Sequence, residues 1–300
     1  RTLTFTDTSL LGAGVAHADG IAVFCPGVLG GETAQIRITE VKKTYANAAL
    51  LARLTDAPDR IEPECPAFGR CGGCVFCHLH PDAEARCKEN AVRAALRRVA
   101  KDAVFDPIVT GAPVRYRNKA LFHIAPDGKL GYYAAGSHDV FYPAGGCRLL
   151  PEMFDDIARF SEEFLLHAAT RFCALALRTA ADGAVTAVLY AVRETAEMRA
   201  AAYAWADALC ARFPLVAGAF AGWGEPASPD ARLTLLRGDD ALHDTFLGLR
   251  LRISPAAFYQ VNHAVAEALC RTVAEFAALR AGESAADLYC GTGVIGMTLA

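Results

Sequence analysis

Three hundred residues exceed what a single hydrophobic core usually organises, so two or three domains are expected. With 53% hydrophobic and 21% charged residues the composition excludes a disordered or fibrous chain, and no apolar stretch reaches the roughly 20 residues of a membrane-spanning helix. A net charge of -3 excludes a bulk attraction to nucleic acid, so such contact has to rest on local patches. With no secretory leader the reading is a cytoplasmic protein, in which eleven cysteines point to metal or catalytic use and not to a disulfide framework.

In chain order, residues 15–18 and 21–24 flank the turn pair Asp19-Gly20 and predict a hairpin. Residues 33–39 alternate, with Ala34, Ile36 and Ile38 on one face, which extends the pattern of a small β-barrel. Lys42, Lys43 and Tyr45 follow at the next turn, two cations and an aromatic suited to single-stranded RNA or equally to a solvated barrel rim. Residues 56–64, with Pro58 and Pro63, read as a linker into a cysteine-rich loop. Pro81 opens a helix to about Lys101 whose apolar side is Val92, Ala95, Leu96 and Val99. Beyond residue 108 a hairpin around Asp182-Gly183 and amphipathic helices over 154–166 and 196–213 predict a central α+β domain. Residues 247–253 alternate as a strand, and Val265, Leu269, Val273 and Phe276 line one helical face. Residues 285–289 form a short apolar strand into a glycine loop, the start of an α/β nucleotide-binding fold.

Several residues carry candidate chemistry. Cys65, Cys71 and Cys74 form C-x5-C-x2-C, with Cys77 and Cys87 close behind. Soft thiolates this close suit an iron–sulfur cube, or tetrahedral zinc if Cys77 joins them, and Gly69, Gly72 and Gly73 give the loop the freedom to wrap a metal centre. Gly291-Thr-Gly293-Val-Ile-Gly296 spells a dinucleotide fingerprint, so a nicotinamide-linked oxidoreductase stays open beside other nucleotide ligands. Gln260 stands just before Asn262, a helix N-cap residue, so its amide can project into a cleft above the sheet, while Phe258 and Tyr259 can be core aromatics. Arg115, Arg117 and Lys119 alternate beside Tyr116 on a predicted strand, one face able to follow phosphates or simply solvated. His123 and His138 are assigned no role.

Cys65-Pro-Ala-Phe-Gly-Arg-Cys71-Gly-Gly-Cys74 resembles the cluster loop of the RNA 5-methyluridine (uracil-5-) methyltransferase family. The resemblance extends along the whole chain in order. Residues 12–32 are similar to the TRAM barrel; Tyr116-Arg-Asn-Lys119, residues 131–138, Ser254 to Asn262 and Asp287 to Gly293 resemble later family segments. It implies a multidomain fold: an OB-like TRAM β-barrel over 1–55, a central α+β domain over 56–250 with the cluster loop at 65–77, and the beginning of a Rossmann-like methyltransferase domain over 251–300. It also implies a 4Fe-4S cluster held by Cys65, Cys71, Cys74 and the remote Cys147, and S-adenosylmethionine bound at Gln260, Tyr289, Gly291 and Gly293. RNA contact falls to Arg115, Arg117, Lys119 and Phe258, the last beside the target base.

The reaction the resemblance implies is methylation of C5 of a uridine in RNA, 23S ribosomal RNA being preferred over transfer RNA. A cysteine thiolate attacks C6 of an extruded uracil, C5 takes the methyl group, and a base removes the C5 proton. The family's nucleophile and base lie downstream of the glycine loop, so no catalytic residue is expected within these 300, both ends read as truncated, and the chain is expected to be catalytically inert. Cys290 belongs to the donor motif. No membrane or protein partner is implied. Two other classes remain: a non-enzymatic RNA-binding protein made of the TRAM barrel and a metal loop, and an NAD-linked iron–sulfur oxidoreductase.

Overall fold

The structure, a computed structural model, describes residues 1–166, 171–226, 228 and 230–300. The chain divides into two compact units, Arg1–Thr110 and Gly111–Ala300.

The first unit opens with six strands: β1 (Thr2–Thr4), β2 (Asp7–Thr8), β3 (Ala13–Ala18), β4 (Ile21–Pro26), β5 (Thr33–Val41) and β6 (Tyr45–Arg53). They hydrogen-bond in the order β1-β5-β6-β4-β3-β2. The β3–β4 hairpin turns at Asp19 and Gly20, both at positive φ (52° and 81°), the primed turn that matches strand twist. Phe5, Val23, Val28, Ala34 and Ile36 bury together as the core. The backbone is tight there: a Cβ at Gly14 would lie 2.9 Å from the Phe5 ring and from the Val28 carbonyl. Helix α1 (Pro81–Leu96) starts at the expected proline but stops five residues short of Lys101. Its expected apolar side is not buried, since Val92 and Val99 stand in solvent. The helix is held instead through its first two turns, where Ala83 and Cys87 join Leu29, Ala57, Phe76 and Leu79, and the Cys87 thiol donates to the Thr8 carbonyl at 3.0 Å. Four apolar residues at helical spacing specify a stripe but supply no surface to cover it.

The second unit contains β7 (Lys119–Ile124), β8 (Leu130–Tyr133), β9 (Val140–Phe141), α2 (Glu152–Leu166), β10 (Ala174–Thr179), β11 (Val185–Ala191), α3 (Ala196–Arg212), β12 (Val216–Trp223) and β13 (Arg232–Gly238). A further hairpin, β14 (Leu242–Phe246) and β15 (Leu249–Ile253), precedes α4 (His263–Ala277) and α5 (Val294–Leu299). The seven-stranded sheet runs β13-β12-β11-β10-β7-β8-β9, with one parallel pair, β11–β12, joined across α3. Strand alternation sorts its two faces. Ala120, Phe122, Leu175, Leu177 and Leu189 point to α2 and α3, where Trp205 is fully buried and donates to Ser161 Oγ at 3.1 Å. The opposite face carries Ala174, Val188, Tyr190 and Phe220, with Lys119, Arg178 and Thr186 as cross-strand neighbours at one end.

Four sequence expectations are corrected here. Residues 115–119 do not form one strand: β7 begins only at Lys119, and Arg115 has φ of 56°, which breaks the alternation that would have put three cations on one face. Leu247 is not in a strand but at the β14–β15 turn with Gly248, again at positive φ. On α4 it is Ala266 and Cys270 that are buried, while Leu269 and Phe276 are exposed; the small residues let the helix approach the β14–β15 hairpin closely. Residues 285–289 lie outside regular strands, because a strand exists only through pairing and none of the described strands pairs with this segment.

Candidate donor and RNA-binding site

The segment from Ser254 to Asn262 runs from β15 into α4. Asn262 caps the helix, its Oδ1 accepting the Val265 N–H at 3.2 Å, which fixes where the segment must end. Within it, side chains alternate between solvent and core. Phe258 is 69% exposed and Gln260 is exposed, whereas Tyr259 between them is 4% exposed. The Tyr259 hydroxyl donates to Asp244 Oδ2 at 3.0 Å and lies 3.3 Å from His263 Nδ1. Burial, reinforced by the Asp244 carboxylate, raises the Tyr259 pKa, so the hydroxyl stays protonated and keeps donating. Asp244 Oδ1 accepts the backbone N–H groups of Ala181 and Thr245, both at 2.9 Å.

From the sheet side, Arg178 donates to the carbonyls of Ala257 at 2.6 Å and Ser254 at 3.4 Å. Asn118 Nδ2 donates to the Gln260 carbonyl at 2.9 Å, and the Asn118 N–H to that of Val261 at 2.9 Å. Burial lowers the pKa of Arg178, which remains a cation, and lowers that of Lys119, with the Arg178 charge adding to the effect.

The glycine loop lies in the same unit. Tyr289, Gly291 and Gly293 all adopt positive φ (60°, 58° and 76°). A Cβ at Gly291 would meet nothing within 4 Å, so open space faces the backbone there. Tyr289 and Cys290 are exposed. Asp287 Oδ2 accepts the Gly296 N–H at 3.0 Å and ties the loop to the first turn of α5. Val294 of α5 shares one core with Tyr259, Ala266 and Cys270, so the glycine loop and the Phe258–Gln260 segment rest on common packing.

The cationic residues differ from one another. Arg115 is engaged within the fold, donating to the Leu150 carbonyl at 2.6 Å and to Glu152 at 3.1 Å. Arg117 is exposed and bridges to Asn262, and Lys119 is half-buried beside Arg178. Cys147 is half-buried in this unit, next to α2.

In the first unit, the loop at 65–77 is wound by Phe68 N–H to the Cys65 carbonyl at 3.0 Å and Cys71 N–H to the Ala67 carbonyl at 2.8 Å, with Gly69 at φ of 83°. The Gly73 N–H points at Cys71 Sγ, 3.4 Å away. Among the described residues no three His, Cys, Asp or Glu side chains are gathered as metal ligands. Next to this loop lies a cavity of about 520 Å³ lined by Arg53, Asp56, Arg60, Phe68 and His78. Glu32 is fully buried behind it and accepts from Leu29 N–H, Ala57 N–H and Arg60. His78 is 2% exposed and packs against Phe68 with its ring tilted by 33°, and neither ring nitrogen has a hydrogen-bond partner among the described residues.

Comparison with known proteins decides what this arrangement belongs to. Residues 1–51 match the TRAM domain family. The chain is 34% identical over its full length to the 23S rRNA (uracil(1939)-C(5))-methyltransferase RlmD of Salmonella paratyphi A, covering 67% of that protein. It is 31% identical to an RNA methyltransferase of Bacillus cereus, over 99% of this chain and 69% of the other. The chain belongs to the RNA uracil-C5-methyltransferase family. In fold, 99% of it superposes on 70% of the tRNA (uracil-54, C5)-methyltransferase of Pyrococcus abyssi, solved with S-adenosyl-L-homocysteine, with a TM-score of 0.70 at 19% identity.

In this family member Tyr259, between Phe258 and Gln260, and Val294, next to Gly293, share one core, while Phe258, Gln260 and Tyr289 are exposed. Arg115 is exposed and hydrogen-bonded to the Leu150 carbonyl and Glu152, Arg117 is exposed, and Lys119 is half-buried. Sequence reasoning missed Arg178 and Asp244, and noted Asn118 only within the Tyr116–Lys119 motif; the three hydrogen-bond to the segment. Their only sequence signal was an arginine inside an otherwise apolar strand and an acid at a strand position that alternation marks as inward. No helix among the described residues is long and apolar enough to cross a membrane.

Proposed function

We propose that this protein methylates C5 of a uridine in RNA, with 23S ribosomal RNA as substrate and S-adenosylmethionine as donor, working in the cytoplasm. The observation that carries this is the pinned segment that exposes Phe258 and Gln260 on either side of a buried Tyr259, on the same core as the glycine loop. The open backbone at Gly291 fits a ligand approaching closely, and Gln260, Tyr289, Gly291 and Gly293 are the residues that would hold the donor. S-adenosylmethionine supplies an electrophilic methyl group. What these residues do is fix its orientation, so that the barrier carries less orientational entropy. Phe258 offers a ring against which an extruded base stacks, and Arg117 and Lys119 offer cations to phosphates.

For the iron–sulfur cluster, the donor set fits in chemistry: soft thiols, and a backbone N–H aimed at the Cys71 sulfur, the contact that stabilises a thiolate ligand. Cys65, Cys71, Cys74 and Cys147 would hold it. Within the first unit Cys65, Cys71 and Cys74 are not gathered as ligands, so what supports the cluster is donor type. A cluster bound there supplies a cross-link among loop segments, which leaves methyl transfer to other groups.

The test is nucleoside mass spectrometry of 23S ribosomal and transfer RNA from cells in which the gene for this protein is disrupted. Loss of one 5-methyluridine from 23S RNA is the expected result. Loss confined to transfer RNA would reassign the substrate, and unchanged 5-methyluridine in both would refute the proposal.

A further inference from the structure

We propose that Arg178, Tyr259 and Asp244 form a clamp of positioning residues that sets the Phe258–Gln260 segment in the geometry used for donor and base. This rests on the reading of Phe258 and Gln260 given above and adds residues that do not themselves touch either substrate.

The argument begins with Arg178. It sits on β10 at 4% exposure, between Lys119 and Thr186 on the neighbouring strands, and no salt bridge to it is found among the described residues. A cation buried without a carboxylate is costly, and its partners here are two carbonyls of one segment, those of Ala257 and Ser254. The guanidinium fork reaches both, which a lysine ammonium on a flexible stem does less well. On the other side of the chain, Tyr259 drives its ring into the core against Phe246 and donates a hydrogen bond to Asp244. Asp244 is itself immobilised by two backbone N–H groups. His263 Nδ1, 3.4 Å from Asp244 Oδ2, and Glu267, 3.4 Å from His263 Nε2, continue the network along α4.

The consequence is geometric. With the carbonyls of 254, 257, 260 and 261 tied and Tyr259 locked inward, the side chains of 258 and 260 are left only the opposite direction, outward. An unclamped loop would have to adopt that arrangement upon binding and lose affinity in proportion to the entropy of ordering.

The test uses the full protein with Tyr259→Phe, which removes one oxygen, and Arg178→Lys, which keeps the charge. Hydrogen–deuterium exchange of amides 256–262 is expected to rise about tenfold in both variants, the loss of one buried hydrogen bond, with β11 and β12 unchanged. S-adenosylhomocysteine binding is expected to weaken about fivefold in each, and Tyr259→Phe added to Gln260→Ala is expected to weaken it no further than Gln260→Ala alone. Unchanged exchange at 256–262, or additive losses in the double variant, would overturn the clamp. If the unaltered protein does not bind S-adenosylhomocysteine, the proposed function falls and the exchange measurement alone decides the clamp.

Discussion

Glu32→Gln is expected to destabilise the barrel unit severely while leaving the second unit intact. Burial raises the Glu32 pKa, but Arg60 and the Leu29 and Ala57 N–H groups outweigh this and hold it below the usual carboxylate range. The carboxylate is fully buried and Arg60 is only 12% exposed, so a neutral amide leaves an uncompensated buried cation. Breaking such a pair costs about 3–5 kcal/mol, which at about 1.36 kcal/mol per decade is a factor of roughly 10² to 10³·⁷ in the opening equilibrium. Both tryptophans, Trp205 and Trp223, lie in the second unit, so their fluorescence reports that unit alone. The barrel is read from hydrogen exchange of the Ile36 and Ala48 amides in its core, whose rates follow unit opening. Acceleration of at least a hundredfold with an unchanged tryptophan denaturation curve is expected. Acceleration under tenfold would refute the reasoning that this ion pair stabilises the barrel.

Burial, with Arg60 adding, pushes the His78 pKa down from 6.5 to about 4. The unfolded chain therefore binds the extra proton first, so stability is complete above pH 6.5 and is lost as the pH falls towards 4, by at most about 3 kcal/mol; His78→Phe should flatten that part of the barrel's pH–stability curve. Ser161→Ala should cost about 1–3 kcal/mol in denaturant unfolding followed by Trp205 fluorescence, because it orphans the buried indole N–H.

The elements most legible in the sequence were those that local rules specify completely. Asp19-Gly20 and Asp182-Gly183 announced their hairpins, and Pro81 announced a helix start, because turn and cap chemistry involves only neighbours in the chain. Burial was less legible. The stripes at Val92–Val99 and Leu269–Phe276 satisfy the helical period, but which stripe is covered depends on what packs there, and Ala266 and Cys270 won by being small enough for close approach. Likewise Arg115 reads as part of an alternating strand, but its backbone stands at φ of 56° and its guanidinium, still exposed, bonds to the carbonyls of Cys147 and Leu150. Phe258, Gln260 and the glycines were read as a candidate site through resemblance; the Arg178, Asn118 and Asp244 contacts along that segment span 79, 142 and 15 residues of sequence, so no rule between chain neighbours announces the pairing.

The central claim, that Gln260 and the loop at 289–293 bind a methyl donor, is tested most directly by isothermal titration of the purified protein with S-adenosylhomocysteine and, separately, NAD. Saturable binding of S-adenosylhomocysteine, weakened by Gln260→Ala, with no heat from NAD, is the predicted result. Binding of NAD, or of neither ligand, would contradict it.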